Sequence, residues 1–159
     1  MGPKTPDRDK RDFQIEQQQE AELRTSILGQ FVDTTPENPI SSETVLGSFS
    51  PDERQVYRRL WGGFDGQDTR GWEMNLAFWA HYFVYPGLLT TVSSNRYNPS
   101  FAITERGKTL LGKKKSLTGH TIRKEQDRVH ATAIRADIAG KQALLAVLEG
   151  HDDDELTSA

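Results

Sequence analysis

The sequence predicts a mostly helical α+β fold: one compact domain with a two-stranded hairpin, flanked by N- and C-terminal helices and polar arms. Three observations predict it. Several stretches of the 159 residues carry apolar residues at helical spacing, among them Leu23-Ile27-Phe31 and Trp72-Leu76-Trp79-Phe83. A single region, Leu88 to Ile103, has two β-prone segments separated by a polar turn. Most of the aromatic residues fall between Phe49 and Phe101, so the main core is expected within residues 49–115.

Residues 1–12 (MGPKTPDRDKRD) offer almost no apolar surface, and a flexible arm is expected there. Residues 13–31 predict a helix. Its Gln-rich first half is polar all round, and only the second half has a face to bury. Pro36 and Pro39 interrupt residues 32–48, which read as a linker, with Val45, Leu46 and Phe49 anchoring its end. Ser50-Pro51-Asp52-Glu53 is a strong helix start. The Ser50 hydroxyl can cap the amide of Glu53, Glu53 can reach back, and Pro51 sits where its missing donor costs nothing. Val56, Tyr57, Leu60 and Trp61 form the buried stripe, and Gly62-Gly63 ends the helix. Asp68 or Thr69 can cap the next helix, which is apolar over much of its surface and therefore expected at the domain's centre. Pro86-Gly87 stops it.

Leu88 to Ser93 predicts a strand, residues 94–99 (SNRYNP) its turn, and Ser100 to Ile103 the returning strand. Thr104 caps a short helix that Gly112 is expected to stop. Residues 119–149 predict a last helix in which Ile134, Ile138, Leu145 and Leu148 share a face. Residues 150–159 read as an acidic disordered tail.

Composition excludes several functions. There is no cysteine, which removes disulfides, thiolate metal sites and cysteine nucleophiles. His81, His120, His130 and His151 make no paired metal spacing. Neither a phosphate-binding Gly-rich loop with Lys-Ser/Thr, a Gly-x-Ser-x-Gly elbow nor a His-Glu-x-x-His pair occurs. The expectation is a protein without catalytic site, metal or cofactor. No apolar run has the length of a membrane span, so no membrane association is expected, and the expected location is the cytoplasm, or a virion for a viral structural protein. The net charge of −3 hides segregation. Residues 104–128 are basic and the C-terminus is acidic, which leaves a local basic stripe for nucleic acid.

The segment Phe101-Ala102-Ile103-Thr104-Glu105-Arg106-Gly107-Lys108-Thr109-Leu110-Leu111 resembles the wing-to-helix junction of winged-helix transcription regulators. The resemblance spans about residues 50–112. It implies a wing made of the 88–103 hairpin, binding to double-stranded DNA, and self-association into a homodimer through the C-terminal helix. It also implies that the helix before the wing is the recognition helix. That helix is aromatic here, so only Arg70, Asn75 and His81 offer polar contacts, and Glu73 would repel phosphate. The resemblance therefore places DNA contacts at the wing tip and the basic stretch after it. Arg96 would enter a minor groove, Asn95 and Tyr97 would hold the backbone, and Arg106, Lys108, Lys113, Lys114 and Lys115 would neutralise phosphates. Lysines at a helix end also have an ordinary role as solvated partners of the helix dipole. A different class of function fits the aromatic helix and narrow apolar faces: a non-catalytic interaction subunit of a larger assembly, a virion or multisubunit complex, with protein partners.

Overall fold

The computed structural model describes residues 6–61, 76–95 and 98–157. Among these the chain runs through α1 (Pro6–Gly29), β1 (Ile40–Ser41), α2 (Ser42–Gly47), α3 (Pro51–Trp61), α4 (Leu76–Trp79), a π-helical turn (Ala80–Val84), β2 (Leu89–Ser93), β3 (Ser100–Ile103), α5 (Glu105–Gly112) and α6 (Gly119–Thr157). The fold is mostly helical α+β, with one antiparallel sheet in the order β1-β3-β2. The predicted loop at 62–67, the cap at Asp68 or Thr69, and Trp72 lie outside the described residues.

The hairpin forms where predicted, with Leu89 opposite Ile103 and Thr91 opposite Phe101. A bulge falls between Thr91 and Ser93, and Val92 is exposed like the rest of β2 from Thr90 on. The sheet has a third strand that was expected as linker. Ile40 pairs with Phe101 and Ser41 with Ser100. Two residues are too short to show an alternating pattern, so the strand is invisible in the sequence. Ser41 then caps α2, its hydroxyl accepting from the Thr44 amide at 3.3 Å. Beyond the reach of β1, the hydroxyl of Thr34 accepts from the Ile103 amide at 2.8 Å and donates to the Phe31 carbonyl. A buried edge of β3 is thereby satisfied by a side chain where no strand partner exists.

The core extends well beyond residues 49–115. Leu23, Ile27, Leu28 and Phe31 of α1 and its C-terminal turn are buried with Val45, Leu46, Phe49, Tyr57, Phe78, Trp79, Phe83 and Leu88. It closes on Phe101, Leu110, Leu117 and Ile122. Phe31 meets Trp79 and Phe101 edge-on, with ring centroids 6.0 and 6.4 Å apart, while Trp79 stacks on Phe101 at 4.9 Å. Such ring pairs contribute beyond their buried area. As predicted, the Gln-rich start of α1 stays exposed. Helix begins at Pro6, within the stretch expected as an arm.

Arg24 is the unexpected member of this interior. Its Nε donates to the Leu117 carbonyl at 2.8 Å, and its guanidinium lies 5.0 Å from the Tyr82 ring centroid. Burial pushes its pKa down, and the nearby Tyr82 and Glu20 partly offset this. The contacts fasten α1 to the start of α6.

Two helix ends use the same left-handed stop. Gly87, with φ +77°, donates to Val84, and Leu88 donates to Phe83. At the end of α5 that conformation falls on Lys114, with φ 53°, rather than on the expected Gly112. Lys114 donates to Leu111 and Lys115 to Leu110. The paired bonds satisfy carbonyls that any helix C-terminus leaves open. α6 likewise runs on to Thr157, through most of the expected tail. Its Asp152-Asp153-Asp154-Glu155 run follows about nine turns of established helix, so helix propagates where composition alone suggested disorder.

Candidate nucleic-acid interface

Helix α2 and helix α3 follow one another, joined by the turn Ser48-Phe49-Ser50. The turn has the three-residue length that helix-turn-helix pairs use. Phe49 in the turn is buried against Tyr57 of α3, at 5.6 Å between rings. Ser50 and Glu53 make the reciprocal cap the sequence implies: the Glu53 amide donates to Ser50 Oγ at 3.2 Å and the Ser50 amide to Glu53 Oε1 at 3.0 Å. The cap sets where α3 starts, and Tyr57 sets which face turns inward. Arg54, Gln55, Arg58 and Arg59 are then exposed. Arg59 is held to α1 through Glu20, Gln19 and the Glu16 carbonyl. The exposed Arg54, Gln55 and Arg58 side chains are of the chemistry that contacts guanine, adenine and phosphate.

The hairpin turn is fastened to this pair. Asn98 Oδ1 accepts from the Glu43 amide at 3.1 Å and from Ser42 Oγ at 3.4 Å, and the Ser42 amide donates to the Pro99 carbonyl at 2.8 Å. The turn therefore stands beside the first residues of α2. Asn95 is exposed, its amide donating to Ser93 Oγ. Arg96 and Tyr97 of the turn, and Arg70 and Asn75 before α4, lie outside the described residues.

The other expected contacts gather elsewhere, because the turn and α5 leave β3 from opposite ends. At the α5 end Thr104 Oγ1 accepts from the Gly107 amide at 3.0 Å and donates to the Gly87 carbonyl at 2.6 Å. Arg106 does not face outward as a phosphate contact. Its guanidinium grips Glu125 of α6 with two bonds, Nε to Oε2 at 2.8 Å and Nη2 to Oε1 at 2.7 Å. A charge-assisted fork of this geometry outcompetes solvent exposure of the guanidinium. It holds the Glu125 carboxyl below its ordinary value, against a burial effect of opposite sign, with Arg128 adding at 3.8 Å. Lys108 pairs loosely with Glu105 at 3.5 Å. Lys113, Lys114 and Lys115 are exposed, the last two beside Glu22, Thr25 and Ser26 of α1. The structure thus sets Asn95 of the hairpin apart from the exposed lysines at the end of α5.

The resemblance directs attention to the helix immediately before the hairpin, which leaves Arg54, Gln55 and Arg58 of α3 unnamed. Projecting residues 51–61 on a helical wheel, with Tyr57 inward, finds all three. His81 is exposed on the π turn, its ring 4.8 Å from Tyr82.

These elements define a mostly helical α+β protein with a three-stranded antiparallel sheet, in which the hairpin turn is bonded to α2. No helix among the described residues is long and apolar enough to cross a membrane. No protein-family model, curated protein or solved structure matches the chain.

Proposed function

We propose that this chain is a non-catalytic DNA-binding protein of the winged-helix type, acting in the cytoplasm as a transcriptional regulator. The observation that carries the reading is the α2–α3 pair: its second helix exposes Arg54, Gln55 and Arg58, and the hairpin turn is bonded to its first helix through Asn98. In helix-turn-helix proteins the second helix enters the major groove while the first crosses the backbone. The hairpin beside α2 supplies the wing. The recognition helix on this reading is α3, and the aromatic segment around α4 serves the core.

Binding of duplex DNA, followed by fluorescence anisotropy at low and moderate salt, tests the proposal. Affinity should fall steeply with salt, as counterion release requires. Arg54→Ala and Arg58→Ala should each weaken binding by roughly 5- to 150-fold, the range of one lost Arg contact to a base. Replacing Lys113, Lys114 and Lys115 together by Ala should cost less than either, because that group leaves the sheet at the other end. Absence of salt-sensitive binding, or full binding by both arginine variants, refutes the reading.

A second reading, membership of a larger protein assembly, is favoured by one observation: α6 continues far past the body with its side chains in solvent.

A further inference from the structure

Helix α6 has 39 residues, about 58 Å at the usual rise. Its first turns pack on the body through Ile122 and Glu125. From Thr132 to Gly150 every residue is exposed. Within that length Ile134, Ile138, Leu145 and Leu148 are 60, 49, 54 and 54% exposed. With Ala131 and Lys141 they follow alternating steps of three and four, the heptad seam of a two-helix coil. The body does not obstruct it. Val129 faces the body, its Cγ2 3.1 Å from where a side chain on Gly87 would begin. Ile138 lies nine residues on, half a turn away around the helix.

Charge selects the occupant and its direction. The first half of α6 carries Arg123, Lys124, Arg128 and Arg135 against Asp127, Asp137 and a Glu125 already gripped by Arg106, while its end carries Glu149 and Asp152-Asp153-Asp154-Glu155. A parallel pair would set the acidic ends side by side. An antiparallel pair sets each acidic end along the basic half of the other helix.

We propose that α6 joins a second copy of this chain as an antiparallel two-helix coil. Its twofold axis passes between Ala139 and Gly140. Layers then form from Ala131 with Leu148, Ile134 with Leu145, and Ile138 with Lys141. This register brings Arg128 alongside Glu149, and the turns holding residues 152–155 alongside those of Arg123 and Lys124. Asp127 facing Asp152 is its one like-charged layer. Lys141 is bonded to Asp137 of its own helix at 3.1 Å and lays its methylene stem on the seam. A single polar seam position of this kind penalises other registers. The proposal is independent of DNA binding.

Light scattering on the full chain, combined with oxidative crosslinking, tests it. The wild type should show twice the 17.9 kDa chain mass. Ile134→Glu should return it to the single-chain mass while keeping a cooperative melt, weakening dimerisation by at least about a hundredfold because the charge enters the seam opposite Leu145 unpaired. The chain contains no cysteine, so Ala131→Cys and Leu148→Cys variants report one contact each. A crosslinked dimer should form when the two variants are mixed and with neither alone. A monomeric wild type, a dimeric Ile134→Glu variant, or crosslinking of either cysteine variant with itself overturns the proposal.

Discussion

Gly107 owes its identity to a neighbouring carbonyl. A Cβ there would lie 2.5 Å from the Leu88 oxygen and 2.8 Å from Ile103 Cγ1. The close approach lets Thr104 bond both ways, to the Gly107 amide and to the end of the preceding turn. Gly112 has no such constraint: nothing lies within 4 Å of its Cβ position, and its φ is not positive. Two glycines of one helix should therefore respond with opposite signs. Gly107→Ala should lower stability in urea titration by about 1–3 kcal/mol, as overpacking does. Gly112→Ala should raise it by about 0.5–1 kcal/mol through reduced unfolded-state entropy. Equal effects would show that the approach of α5 to Leu88 is not the constraint on Gly107. The cap at Thr104 was legible from residue order. The reason for glycine three residues later was not, because Leu88 is distant in sequence.

Element by element, legibility tracked length. α3, the hairpin and α5 each had a cap or an alternating pattern long enough to declare itself. β1 and α2 together span eight residues and draw their order from β3 and the Asn98 turn, so their sequence read as a linker. The α5–α6 contact was equally hidden, since Arg106 and Glu125 are nineteen residues apart. This contact gives stability a pH dependence. Glu125 titrates below its ordinary value of 4.5 in the folded protein, chiefly through its bonds with Arg106. Its contribution is fully present above the unfolded value and is lost as pH falls through the folded one. Thermal melting should show stability declining on acidification below about pH 4.5. Glu125→Gln should remove about 1–3 kcal/mol at neutral pH, the range for a charge-assisted bond, and flatten that acid limb. An unchanged acid limb in the variant would assign the dependence to other carboxylates.

Across the whole molecule, α1 is a structural part of the body. Phe31, two residues past its end, packs edge-on against both Trp79 and Phe101, and Arg24 reaches the backbone before α6. Phe31→Ala should cost about 3–5 kcal/mol, the range for a buried aromatic, in a single cooperative urea transition. A loss below 1 kcal/mol would mean that α1 docks without sharing the core.

The sequence by itself determined the class of fold, the capped starts of α3 and α5, the hairpin, and the long final helix. Each depends on residues within a turn or two of one another. Tertiary structure decided which segments share the core, that residues 32–48 contribute a strand and a helix, and that Arg106 is held by Glu125. It also decided which helix turns a polar face outward. These outcomes rest on contacts between residues tens of positions apart, and local spacing carries no record of them.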